Sequence, residues 1–150
     1  MSVENKWEWI PNKSLGVVCI GDNIKEHKQK LKLKKDHCDA WLKKYQENYE
    51  ESYDLPNLET TIFVEHNIVF SITSWEEFNY KGVNLIGQKF SDLENILNCT
   101  PDDEESFDLD EGGIQRAYDY DDLGLQIWVR DSVIESATCG NYRASVGCAK

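Results

Sequence analysis

Two segments of this chain share one alternation of apolar and polar residues, and this feature constrains the fold most. They are residues 60–72 and 123–137. Their matching residues stand 65 positions apart, as in the pairs Ile62 and Ile127, Phe63 and Trp128, and Val64 and Val129. Each segment consists of an alternating apolar run, a short polar break and a second apolar run, a pattern typical of a β-hairpin. The sequence therefore predicts two equivalent hairpins.

A second match precedes each hairpin at an offset of 66 residues. Ile20-Gly21 corresponds to Ile86-Gly87, and a leucine follows each pair at the same distance, Leu31 and Leu97. Asn23 with Glu26, and Ser91 with Glu94, have the spacing of a capping box, which marks the start of a helix. Each half is thus predicted to run from a short strand through a glycine turn and a helix to a hairpin.

This organisation predicts a single α+β domain of two helix-plus-β-hairpin half-repeats, residues 14–80 and 81–140, followed by a frayed tail at 141–150. The two halves would share one antiparallel sheet with the helices packed on one face. Apolar spacing extends the first helix from Asn23 to about Tyr49, with a break near Lys35-Asp36, and places the second at 91–98. Within the hairpins, Ile62 and Val64 belong to the buried face, whereas Phe63 and Trp128 lie on the open face.

The tandem arrangement resembles the β-lactamase-inhibitor-protein-like family. The residues that carry the resemblance are Ser14-Leu-Gly16 ahead of Ile20-Gly21, and Leu85-Ile-Gly87 in the second half. The resemblance implies a protein that binds other proteins through an open sheet face and its loops, without chemistry. This chain departs from the family in its long lysine-rich first helix and in lacking a signal sequence and a disulfide framework.

The amino-acid composition limits the cellular locations and the kinds of partner that we expect for this protein. The formal net charge of −12 disfavours binding to nucleic acid or to anionic membranes, and it favours a basic partner. The first residues are polar, and no apolar run reaches the 18 or more residues of a membrane span. The five cysteines are an odd number without a close pair, so we expect reduced thiols and a cytoplasmic location.

The acids are concentrated between residues 101 and 122. This segment contains ten acids and a single arginine, which gives a local charge of −9. We expect an acidic loop here, the least globular segment of the chain, that attracts a basic protein, with aromatic residues as anchors. A solvated connection without a partner is the alternative. The predicted partner-binding residues are Asp102, Asp103, Glu104, Glu105, Asp108, Asp110, Glu111, Tyr118, Asp119, Tyr120, Asp121, Asp122, Phe63 and Trp128.

No catalytic residue, metal site or cofactor is predicted. A thiol nucleophile would be Cys38 or Cys139, but only Cys38 has a neighbouring histidine, His37, and adjacent helical residues point in different directions. The three histidines lack the spacing of zinc motifs, and the acidic segment lacks the order of a calcium-binding loop. A pair of catalytic carboxylates is left open, because acids are abundant.

The chain also shares its general character with bacterial immunity proteins, such as those of contact-dependent inhibition. Both are small, acidic, single-domain and poor in motifs. We therefore predict a non-enzymatic inhibitor that neutralises a cognate basic toxin, with a nuclease as the expected target. Two alternatives remain: a structural or regulatory adaptor that dimerises through a sheet edge, and an uncharacterised hydrolase. The oligomeric state is not predicted.

Overall fold

The computed structural model describes residues 7–35, 50–56 and 58–140 of the chain, and these form a mostly β protein. The strands are β1 (Trp9–Ile10), β2 (Ser14–Leu15), β3 (Val18–Cys19), β4 (Lys34–Lys35), β5 (Glu50–Asp54), β6 (Thr60–Glu65), β7 (Ile68–Ser74), β8 (Asn79–Tyr80), β9 (Val83–Asn84), β10 (Asp103–Asp108), β11 (Ile114–Tyr120), β12 (Leu125–Arg130) and β13 (Val133–Gly140). The described helices are α1 (Lys25–Lys28) and α2 (Phe90–Leu97), with 3₁₀ turns at Asp110–Gly112 and Asp121–Leu123.

Eight of these strands form one antiparallel sheet in the order β10-β11-β12-β13-β7-β6-β5-β4. Each half of the chain contributes four neighbouring strands in chain order, so the halves meet at the pair β13 and β7. Strands β1-β2-β3 form a small separate sheet, and β8 pairs with β9.

The two predicted hairpins, β6–β7 and β12–β13, have matching backbone geometry. The register shifts between Phe63 and Val64 in the first hairpin, and between Trp128 and Val129 in the second. The paired turn residues all have positive φ, namely His66, Asn67, Asp131 and Ser132. Such turns match the natural twist of the flanking strands. The prediction of two hairpins is confirmed.

The turn before each hairpin is bound to it in the same way. The Gly21 N–H donates to the Val69 carbonyl at 2.8 Å, and the Gly87 N–H donates to the Ile134 carbonyl at 2.9 Å. Both glycines have a positive φ, +100° and +91°, which a residue with a side chain rarely adopts. The glycine turns therefore fix the start of each half against its own hairpin.

The seam between the halves is centred on a pair of threonines. Thr73 of β7 is the register partner of Thr138 of β13, and their hydroxyl oxygens lie 2.6 Å apart. These residues are 65 positions apart, so equivalent positions face each other across the seam. The seam ends at Gly140, where a Cβ atom would lie 2.4 Å from the Phe70 carbonyl oxygen.

One hydrophobic core lies under the sheet. It includes Ile62, Ile72 and Ile127 from the long strands, and it joins them to buried residues of the smaller elements, among them Trp9, Leu15, Val18, Ile24, Phe78, Leu85 and Leu93. The alternation predicted for β6 and β12 is confirmed, since Ile62, Val64, Leu125, Ile127 and Val129 are buried.

The predicted α+β fold of two helix-plus-β-hairpin half-repeats with helices packed on one face is wrong. The helices are too short for that role, at four residues for α1 and eight for α2. The core is instead covered by the two helices together with the small sheet and the β8–β9 pair. What the halves share is a glycine turn and a hairpin in one sheet, so strands dominate the fold.

The first predicted helix fails within its first turns. Leu31 and Leu33 alternate with lysines, which is the period of a strand, and Lys34–Lys35 forms β4 beside β5. Closely spaced lysines also repel one another on a helix. Residues 36–49, which carry the rest of that prediction, and the predicted tail at 141–150 lie outside the described residues. No helix in the described ranges is both long and apolar enough to cross a bilayer.

Candidate functional site

The open face of the eight-stranded sheet carries a groove of about 450 Å³ above the seam between the halves. Phe63 and Phe70 lie on one side of the seam, with their rings 6.4 Å apart. Trp128 lies on the other side and stacks on Phe107 of β10 at 5.5 Å. The prediction that Phe63 and Trp128 share the open face is confirmed. The two residues line a single depression.

Small hydroxyl side chains form the floor of this open-face groove. They are Ser71 and Thr73 of β7 and Ser136 and Thr138 of β13. These residues are buried although they point away from the core, since the larger aromatic side chains flank them. The described residues that line the groove include no titratable group. The groove is therefore suited to apolar and hydrogen-bonding contacts with a partner.

A chain of hydrogen bonds connects the groove to the acidic segment. The Trp128 indole N–H donates to Gln126 Oε1 at 2.9 Å, and the Gln126 amide donates to Asp119 Oδ1 at 2.9 Å. Asp119 therefore helps to orient Gln126, and Gln126 orients the indole. Buried or half-buried networks of this kind hold their members in one geometry.

The acidic segment is a β-hairpin, whereas the sequence predicted a loop. Strands β10 and β11 pair over six residues each, from Asp103 opposite Asp119 to Asp108 opposite Ile114. The predicted residues Asp102, Asp103, Glu104, Glu105, Asp108, Asp110, Glu111, Asp121 and Asp122 are exposed, and Asp119 is half-buried. We call residues 102–122 the acidic hairpin. It forms one edge of the eight-stranded sheet.

The hairpin contains one basic residue to offset the charge of its ten acids. Arg116 is its single basic residue, and its guanidinium lies 3.7 Å from the Glu104 carboxylate. The Asp102 carboxylate accepts the Asp121 N–H at 2.7 Å, which ties the two ends of the hairpin together. The hairpin thus presents a negative surface on a paired β backbone.

Tyr118 and Tyr120 do not belong to that surface. Tyr118 stacks on Phe90 of α2 with ring centroids 4.0 Å apart, and Tyr120 is only 2% exposed. Burial raises the pKa of both phenols, and in Tyr120 the neighbouring Cys99 adds to the effect. Their period of two along β11 places both on the core side, so a partner cannot reach them in this structure.

A second depression lies beside Trp75, which also lines the open-face groove. Its volume is about 650 Å³, and its walls combine Leu55 and Leu58 with three acids, Asp54, Glu59 and Glu76. The Trp75 side chain is 44% exposed. Sequence reasoning missed this cavity, although the adjacent residues Trp75-Glu76-Glu77 carry the signal of an aromatic beside acids.

Two of the described cysteines, Cys99 and Cys139, do not have the properties of a nucleophile. Cys139 is buried, and burial raises the pKa of its thiol to about 12. The pKa of Cys99 is also raised, first by burial and then by Asp102 and Asp122 nearby. A thiolate is the reactive form, so both thiols are unreactive near neutral pH. His37 and Cys38 lie outside the described residues.

One cluster of possible metal ligands occurs in the described residues: Asp22, Glu26 and His27. His27 is buried, and its Nε2 atom lies 2.8 Å from Asp22 Oδ2, so these two groups already satisfy each other. Partial burial raises the Asp22 pKa, but the hydrogen bonds from His27 and the Cys19 N–H outweigh it and lower the pKa. The geometry is that of a structural contact at the start of α1.

Comparisons with known proteins found no relative of this chain. No protein family, curated protein or solved structure matches the chain. The resemblance to the β-lactamase-inhibitor-protein-like family therefore stays a prediction.

Proposed function

We propose that this protein is a non-enzymatic inhibitor that binds a basic protein, and that it acts in the cytoplasm as an immunity protein against a cognate toxin. The acidic hairpin attracts the partner, and the open-face groove binds an apolar part of its surface. A basic nuclease is the target class that fits best, because a protein that binds phosphates offers the positive surface that this hairpin complements.

The observation that supports this proposal is the continuity between the acidic hairpin and the groove. Phe107 belongs to β10, the acidic edge strand, and its ring stacks on Trp128 in the groove. Every second residue of a strand points to the same face of the sheet, so the side chains of Asp103, Glu105 and Phe107 share one face. Charge and aromatic surface thus adjoin on one side of the protein.

Acids on an edge strand also have a simpler role, since they prevent pairing with another sheet. Charges on the edge strand itself serve that role, whereas six of the ten acids in the hairpin lie outside β10. The surplus exceeds what edge protection needs and favours long-range attraction of a basic partner.

The edge strand disfavours the alternative of an adaptor that dimerises there. All six residues of β10 are exposed, and Phe107, its one large apolar side chain, is engaged with Trp128. Two copies that met along β10 would place carboxylates against carboxylates, which is destabilising. A salt-insensitive dimer through this edge is therefore not expected.

A pull-down tests the proposal. The tagged protein serves as bait for lysate of its source strain at low and at high salt. We expect one basic protein at a stoichiometric level that is retained at low salt and released at high salt, because screening weakens attraction between exposed charges. Recovery of the bait's own copies alone, at both salt levels, would refute the proposal.

The control bait is an unrelated protein of similar size and net charge. It reports how much basic protein binds to any acidic surface. Material recovered equally by both baits does not count as a partner. A partner that passes this control can be assayed for toxin activity with and without an excess of this protein, and inhibition is the expected result.

A further inference from the structure

We infer that the cavity beside Trp75 binds an arginine side chain of the partner. This inference rests on the proposed function, because it names the chemistry of one contact within that complex. The cavity is lined by apolar and acidic side chains, and none of its described lining residues is basic. The residues that carry the argument are Asp54, Leu55, Leu58, Glu59, Trp75 and Glu76.

The other half of the molecule provides an internal comparison. The Trp75 N–H donates to the Glu59 carbonyl at 2.9 Å, and 65 residues later the Gly140 N–H donates to the Gly124 carbonyl at the same distance. The backbone arrangement is therefore shared, but the second half has glycines where the first half has a tryptophan and a glutamate.

In the second half of the chain, neighbouring atoms fill the space beside Gly124 and Gly140. A Cβ atom on Gly124 would lie 2.7 Å from the Asn12 side-chain oxygen, and a Cβ atom on Gly140 would lie 2.4 Å from the Phe70 carbonyl oxygen. The Asn12 amide also donates to the Asp122 carbonyl at 2.7 Å. The fold can thus form this turn without a cavity or an exposed indole, so Trp75 and Glu59 are not required for the backbone geometry.

The cavity presents the two kinds of group that bind a guanidinium, an exposed indole and carboxylates. A planar cation stacks on the face of an indole, and it donates paired hydrogen bonds to carboxylates. Asp54 Oδ1 accepts the Thr61 hydroxyl at 2.7 Å, and Glu76 Oε1 accepts the Glu59 N–H at 3.0 Å. These bonds orient the two carboxylates, and each retains a second oxygen for a ligand. Arginine fits better than lysine, whose ammonium lacks the planar fork.

The test uses a small probe and does not require the partner. N-acetyl-arginine methylamide is titrated into the ¹⁵N-labelled protein, and the indole N–H resonance of Trp75 is followed by NMR. The Trp75→Phe variant assigns that resonance. We expect a saturable shift with a Kd of about 1 mM, in the range of weak single-group ligands. N-acetyl-citrulline methylamide, which has the same shape without the charge, should cause no saturable shift.

The double variant Glu59→Gln/Glu76→Gln should raise the Kd of the arginine probe by about fivefold, because exposed ion pairs contribute modestly. The matched control is Asp92→Asn/Glu94→Gln on α2, which removes the same charge elsewhere and should leave the Kd unchanged. Equal shifts with the citrulline probe, or no saturable shift at Trp75, would overturn the inference. These results would not affect the proposed function, which the pull-down tests independently.

Discussion

At the scale of single residues, alternation along the strands was the most reliable signal. It placed Ile62 and Ile127 in the core and Phe63 and Trp128 together on the open face, because successive strand residues point to opposite sides. The same rule would have placed Tyr118 and Tyr120 in the core. The density of acids around them concealed their period of two. The contact of His27 with Asp22 could not be predicted, since it depends on how a loop enters a short helix.

The Asp22 carboxylate should stabilise the fold in a pH-dependent manner. Its pKa is lowered below 3.8 in the folded protein, so its contribution is fully present above pH 3.8 and is lost as the pH falls through the folded pKa. Asp22→Asn should lower the free energy of unfolding by about 1–2 kcal/mol at pH 7. Urea unfolding of both proteins between pH 7 and pH 2.5 measures the difference, which should shrink below about pH 3.8. A difference that is constant over this range would contradict the assignment.

At the scale of elements, the sequence predicted both hairpins and α2, but not the two strands at each edge of the sheet, β4 with β5 and β10 with β11. The hairpins were visible because apolar residues alternate in them without interruption. Strand β4 was concealed by lysines at 30–35, and β10 by acids at 103–108. Edge strands need charged side chains to avoid pairing with other sheets, so the residues that protect them also remove their apolar pattern.

The seam between β7 and β13 should be sensitive to a single methyl group at its end. Gly140 has φ +113°, and an added Cβ would lie 2.4 Å from the Phe70 carbonyl oxygen. We expect Gly140→Ala to lower the free energy of unfolding by about 3 kcal/mol, since strain and a backbone clash add. Urea denaturation provides the value.

Gly87→Ala is the matched control for this substitution. Its φ of +91° imposes similar strain, but an added Cβ has no atom within 4 Å. The expected cost is about 1 kcal/mol. If both substitutions lower the free energy of unfolding equally, the close packing at the seam does not add to the cost of Gly140→Ala.

At the scale of the whole molecule, charge is distributed unevenly along the sheet. The acidic hairpin forms one edge, with a local charge of −9. The segment 25–35 leads into the opposite edge strand and carries six lysines and one glutamate, a charge of +5 with His27 neutral. Seven strand spacings separate these edges, or about 34 Å. A basic partner is therefore attracted first to the hairpin edge, which orients its approach.

The measurement that tests this account most directly is the association rate constant with the basic protein recovered in the pull-down. Stopped-flow fluorescence at several salt concentrations compares the wild type with two variants. One is Glu105→Gln/Glu111→Gln/Asp122→Asn on the acidic hairpin, and the other is Glu26→Gln/Glu65→Gln/Glu77→Gln in the first half of the chain. Each variant changes the net charge from −12 to −9, so the two differ only in where the charge is lost.

The account predicts that the hairpin variant associates about tenfold more slowly at low ionic strength, with a flatter dependence on salt, because steering depends on the local field. The control variant should stay within about twofold of the wild type. Equal rate constants for all three proteins at low salt would contradict the claim that the acidic hairpin attracts the partner.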